Sequence, residues 1–286
     1  MRIKSLIYCF LFLFVFASCE NNGSNASFGD ESQFDDVVLG EDLVRIGMPS
    51  KLDYLIENLV LSDEMIGILA DADRMLFDAD LLNPTENVKV YTTSKSKAVN
   101  MGVYGAELNY VIHFSQTQYS MKYMLASKQL ADQIGVAMAF NQQLISEYQT
   151  NVENKDSLIN IIFTVYDNAK RMLQNEEQFM LSALVIVGSW VENMYITTTM
   201  FDQTNNSTLK SKLITKVIEQ KEYLQKLIDA VVVLDEGDNV FVTEIIQELK
   251  GVNDIYDNFG ERVLSESDVK QLQEKIAVLR NKIIKA

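Results

Sequence analysis

The chain is poor in cysteine, proline, histidine and tryptophan, and each shortage removes a class of function. Its two cysteines, Cys9 and Cys19, lie at the very start, so everything after Cys19 is free of thiols. No disulfide framework, zinc–thiolate site, iron–sulfur cluster or cysteine nucleophile can be written there. His113 is the sole histidine. A di-iron bundle needs two Glu-x-x-His motifs, which one histidine cannot supply. A Ser-His-acid triad would have to pass through that same imidazole. Neither a P-loop, a dinucleotide fingerprint nor a Gly-x-Ser-x-Gly elbow occurs, and Val187-Gly188-Ser189-Trp190 is only a fragment of the last, set in helical sequence. Calcium loops begun at Asp71 or Asp235 fail because Leu82 and Ile246 stand at position twelve, where a glutamate is required. Neither a metal nor a cofactor is expected.

Positive charge is scarce too. Lys and Arg number 25 against 40 Asp and Glu, a net charge of −15. Such a surface repels phosphate backbones, which argues against a nucleic-acid partner. It also repels anionic lipid headgroups, so no basic patch would hold the protein to a membrane.

What is present at the start reads as a leader. Arg2 and Lys4 are followed by an apolar run from Leu6 to Phe16, and the small residues Ala17 and Ser18 stand directly before Cys19. This is the layout of a secretory signal. The run is too short for a comfortable membrane span, which takes about 20 apolar residues. Ala17-Ser18-Cys19 resembles the lipobox of bacterial lipoproteins, although Phe16 departs from the aliphatic residue usual at its first position. The resemblance implies cleavage by signal peptidase II before Cys19 and lipidation of Cys19, which would tether the chain to a membrane. Losing residues 1–18 removes Arg2 and Lys4 and no acid, leaving 23 basic and 40 acidic side chains.

Three segments are expected: a signal over 1–18, an acidic flexible tether over 19–49, and a helical domain over 50–286. The tether reads as a spacer because Asp30, Glu31, Asp35, Asp36, Glu41 and Asp42 repel one another with only Arg45 among them. Beyond Ser50, apolar residues recur at spacings of three and four. Leu52, Leu55, Ile56 and Leu59 make one stripe, and Leu158, Ile161, Ile162, Val165, Ala169 and Met172 make another. The strongest runs from Leu213 through Val217, Leu224 and Leu227 to Val231.

Punctuation agrees with helices. Pro49 and Pro84 are expected at boundaries, Gly135 at a helix C-terminus, and residues 236–239 between two late helices. Ser265 and Asp268 have the spacing of a capping box. Residues 87–93 are the one strand candidate, read rather as an extended loop. The fold class that follows is all-α, an antiparallel multi-helix bundle of about nine helices, with solenoid-like helix pairs as the alternative.

Two acids sit in otherwise apolar helical sequence. Glu107 follows Gly102, Tyr104 and Gly105, and Glu192 follows Gly188 and Trp190. Glycine costs about 1 kcal/mol against alanine inside a helix, so its use there points to close backbone approach. Two readings stand open: Tyr104, Glu107, Trp190 and Glu192 around a ligand pocket, or a tight helix crossing with the acids turned to solvent or a tyrosine hydroxyl.

Residues 100–110, 151–158, 184–196 and Gln220-Lys221 resemble a family of helical lipoproteins from Bacteroidetes. The resemblance implies an all-helical, envelope-bound protein and lends no activity. Asp156-Ser157-Leu158 is similar to the site at which that lineage O-glycosylates exported proteins, which would mark Ser157. The expected function is therefore a lipid-anchored cell-envelope protein, on the outer rather than the inner membrane, that binds or scaffolds another envelope protein without catalysis. The alternative is a small-molecule binder or hydrolase built around Tyr104, Glu107, Trp190 and Glu192.

Overall fold

Two helices with almost no polar face organise the molecule. In the computed structural model, which describes residues 35–72, 75–175, 178–260 and 262–286, these are α2 (Ser94–His113) and α6 (Phe179–Gln203). Residues 98–112 of α2 are all buried, and so are nearly all residues of α6 from Ser182 to Phe201. A helix apolar on every side must be surrounded by protein. Helix α6 is long and apolar enough to cross a membrane by composition, yet it is packed against α2 and, on its other sides, against three further helices.

The other α-helices are α1 (Asp35–Ala70), α3 (Thr117–Gln133), α4 (Gln142–Thr150), α5 (Lys155–Asn175), α7 (Ser207–Leu234), α8 (Val240–Phe259) and α9 (Glu266–Ile284). Helix α3 covers α2 on one side, and α5 leans on both α2 and α6. On the other side α9 packs on α6, α8 on α9, and α7 joins α6 to α8. Apart from the link between α1 and α2, which carries two 3₁₀ turns, the connections are short, and no strand occurs among the described residues. The fold is the all-α, antiparallel bundle expected from the periodicity. The chain divides into two units, Met1–Glu41 and Asp42–Ala286, and the sites below lie in the second. Residues 1–18, read as a leader, and Cys19 lie outside the described residues.

The close approach of α2 and α6 is set by two glycines. A Cβ on Gly102 would overlap the Val185 carbonyl oxygen, and one on Gly188 would overlap that of Val99. Both obstacles are backbone, so neither can move aside.

Local signals hold the ends. The Ser265 hydroxyl and the Asp268 carboxylate cap each other's backbone N–H groups at the start of α9, and Gly237 has φ +72° in the link between α7 and α8. Two expectations are corrected. Pro49 does not mark a boundary; it lies inside α1, which begins at Asp35 within the segment read as a tether. A proline inside a helix loses one hydrogen bond and costs about 3 kcal/mol. Burial of Met48, Leu52 and Leu55 around it offsets that cost. Residues 87–93 are not simply extended either. A 3₁₀ turn covers Thr85–Lys89, with Val88 and Tyr91 buried against the bundle.

Candidate functional site

The two acids meet across the α2–α6 interface, and the residue between them is Arg280 of α9. Arg280 Nε donates to Glu192 Oε2 at 2.7 Å, and Nη2 donates to the Leu81 carbonyl at 2.8 Å. Glu107 Oε1 is 3.5 Å from Nη2 and also accepts the backbone N–H of Asn83. The guanidinium lies over the Tyr195 ring, 4.1 Å from its centre. Both glutamates are wholly buried.

Two carboxylates and one guanidinium cannot all be charged without leaving a net buried charge. Burial, together with the charge of Glu192, holds the Glu107 carboxyl well above the ordinary range, against the opposing pull of Arg280. Burial raises Glu192 as well, but it has the closer contact with Arg280. The remaining oxygens, Glu107 Oε2 and Glu192 Oε1, have no other partner. A proton kept on Glu107 fills this gap, donating to Glu192 and leaving the triad neutral.

Tyr104 stands beside this triad. Its hydroxyl donates to the Pro84 carbonyl at 2.9 Å, and Tyr123 from α3 donates to that of Asn83 at 3.0 Å. The segment between α1 and α2 is thereby stitched to the bundle at the point where Asn83 meets Glu107. Trp190 faces elsewhere: its Nε1–H donates to Gln220 Oε1 on α7 at 3.0 Å. The structure thus gathers Tyr104, Glu107 and Glu192, leaves Trp190 apart, and turns the acids neither to solvent nor to a tyrosine hydroxyl. Their partner is an arginine 173 and 88 residues further along the chain.

None of the four lines the cavity that opens on the opposite side of α2 and α6. This cavity, of about 340 Å³, lies between α1, α2, α5 and α6. Its wall is mostly apolar, with Ile56 from α1, Ile162, Phe163 and Leu173 from α5, and Val185 and Ile186 from α6. Asn109 and His113 of α2 and Ser182 of α6 interrupt that wall. Asn109 Nδ2, His113 Nδ1 and Ser182 Oγ are shielded from water and have no hydrogen-bond partner among the described residues. Such groups are rare in folded proteins, because each unmade bond costs about 1–3 kcal/mol.

The charges around the cavity are already committed. Lys170 of α5 lies 2.9 Å from Asp53 and 2.9 Å from Asp167, and Glu64 is 3.0 Å from Lys216. Burial pushes His113 down to about 4, aided by the charge of Lys155, so the imidazole is neutral at pH 7. Its ring rests against Gly67 of α1. Gly105 makes room for Tyr166, whose hydroxyl donates to the Met101 carbonyl at 2.8 Å.

A sequence signal for this second site exists. Gly105, Asn109 and His113 follow one another at intervals of four, a small and polar stripe down one side of an apolar helix. Ser182 and Ser189 repeat at seven on α6. Arg280 left no comparable trace. Ser157 lies half-buried in the first turn of α5, its backbone N–H donated to Asn154 Oδ1 at 3.0 Å.

No protein-family model matches the chain, and no curated protein or solved structure matches it.

Proposed function

We propose that this is a lipid-anchored cell-envelope protein, without catalysis of its own, whose bundle binds a small and mostly apolar molecule between α1, α2, α5 and α6. The observation that carries the binding half is the apolar cavity of about 340 Å³ whose lining includes three polar side chains that each bury an atom without a hydrogen-bond partner among the described residues. Small-molecule sites are concave, mostly apolar, and oriented by a few polar groups. Their volumes begin at about 300 Å³. The tethering half rests on the order of residues 2–19: two bases, a short apolar run, then Ala17-Ser18-Cys19. An outer-membrane position and an envelope protein that exchanges the molecule with it complete the reading.

Hydrolysis is the weaker alternative. Ser182 and His113 both line the cavity, but Ser182 Oγ makes no hydrogen bond and so is not activated by the imidazole. The acid pair is consumed by Arg280 and faces away from the cavity.

The binding half is tested with N-phenyl-1-naphthylamine, a neutral dye that brightens in apolar sites. The full chain carrying Cys19→Ala, which cannot be lipidated, should bind it saturably at one site. Ala169→Phe, which fills the cavity from α5, should abolish that binding while helix content by circular dichroism is kept. Equal binding by the Ala169→Phe protein would sink the reading.

A further inference from the structure

We infer that the ligand of this cavity is an uncharged amphiphile, an apolar chain ending in one carbonyl or hydroxyl group, held head-inward against Asn109 and Ser182. The inference rests on the binding reading above and names the chemistry of what is bound.

Charge excludes the ionised alternatives. Among the described residues lining the cavity, those that carry or can take a charge near neutral pH are Glu64, His113 and Lys170. Glu64 is paired with Lys216, and Lys170 is held between Asp53 and Asp167. His113 carries no charge at neutral pH, since its imidazole is pushed down to about 4. A carboxylate or phosphate head entering here would lose its hydration and gain no free cation, a large uncompensated cost. An ammonium head would meet the same deficit of free anions.

The unpartnered groups exclude the opposite extreme. A plain hydrocarbon would satisfy the apolar wall and leave Asn109 Nδ2 and Ser182 Oγ as they are. A carbonyl or hydroxyl oxygen can accept from both, because the amide offers N–H donors and the serine an O–H. Both atoms are shielded from water, so no solvent hydrogen bond has to be surrendered when the head arrives. The proposal requires each side chain to turn about its own χ angles to bring that atom to the head.

Depth gives the orientation. Ser182 is 1% exposed and Asn109 6%, whereas Phe163 at the rim is 47% exposed. Asn160 beside it is exposed as well. The polar end therefore belongs at the floor formed by α2 and α6, and the chain runs out past Ile162 and Phe163 of α5.

The test is displacement of N-phenyl-1-naphthylamine from the full chain with Cys19→Ala by four molecules of one chain length: methyl decanoate, decanol, decanoate and decane. Methyl decanoate and decanol should displace the dye at concentrations at least about tenfold below decanoate and decane, about 1.4 kcal/mol of preference. The Asn109→Leu and Ser182→Ala variants, singly and together, should keep dye binding and lose most of that preference. Decanoate competing as well as the ester would overturn the uncharged head. Decane competing as well, or variants that keep the full preference, would overturn the role of Asn109 and Ser182. Failure of the dye to bind the parent chain at all would instead remove the binding reading on which this rests.

Discussion

Arg280 Nε lies 2.7 Å from Glu192 Oε2 at a place where the carboxylate has no solvent exposure, and this contact pins α9 to α6. Glu107 joins from α2, so one guanidinium ties together three helices that are far apart in sequence. A buried charge group of this kind is expensive to desolvate and gains little net stability, but it is strongly destabilising once broken. Its place at the α2–α6–α9 junction makes it a device for register.

Removing the guanidinium should therefore be costly. Arg280→Met fits the space but leaves Glu192 buried without its cation, and the Leu81 carbonyl loses a donor. Stability should fall by about 3–5 kcal/mol, read as a lower urea midpoint with an unchanged slope. A loss below about 1 kcal/mol would mean that the acids relax to solvent or both become neutral at no cost.

The glycines give a graded prediction. Gly188→Ala drives a methyl into the Val99 carbonyl, and Gly102→Ala drives one into that of Val185. Each should destabilise by about 1–3 kcal/mol or more, because α2 and α6 would have to separate. At Gly105 the obstacle is the end of the Tyr166 side chain, which can swing away at the loss of its bond to Met101. Gly105→Ala should cost less than either. Denaturant midpoints of the three variants check the order.

How much of this was legible beforehand follows the range of each interaction. The Ser265–Asp268 box and the Gly237 link are local, so their residues announce themselves within four positions. Periodicity found the helices after Ser50 for the same reason, and glycine amid apolar sequence marked the α2–α6 crossing. Pro49 misled because its intrinsic preference is overridden by the burial of Met48 and Leu52, a tertiary effect. Glu107 and Glu192 stood out as acids in apolar surroundings, but nothing near them in sequence names Arg280. The cavity is harder still. It is a space left between α1, α2, α5 and α6, and only the stripe of Gly105, Asn109 and His113 hints at it.

The tether makes its own prediction. If Cys19 is the mature N-terminus, mass spectrometry should find it acylated, and Cys19→Ala should release the protein from membranes. Two or more chains, at about 0.8 kcal/mol per buried CH₂, are needed for stable attachment. A wild-type protein with a free, unmodified N-terminal amine would refute this.

The triad also carries a pH signature. Glu107 in the folded protein keeps its proton well above the ordinary value of 4.5, because burial and Glu192 outweigh Arg280. In the unfolded chain the same carboxyl ionises near 4.5. Between that value and the folded one, the folded state holds more protons, so unfolding becomes easier as pH rises. This contribution is fully present below 4.5 and is lost as pH climbs through the folded value. His113 acts with the opposite sign in part of the same window. Its folded value of about 4 lies below the ordinary 6.5, so its contribution is present above 6.5 and is lost as pH falls toward 4. The two are separated by difference. Glu107→Gln keeps a neutral, proton-bearing group that can donate to Glu192 and accept from the Asn83 N–H. Its stability at pH 7 should equal or exceed that of the wild type, and it should lose less between pH 4.5 and about pH 8. Glu192→Gln removes the closer partner of Arg280 and should be distinctly worse at pH 7. Urea titrations of the three proteins across that range decide the matter. A Glu107→Gln protein that tracks the wild-type pH curve would show that Glu107 is ionised in the fold, and the neutral triad would have to be abandoned.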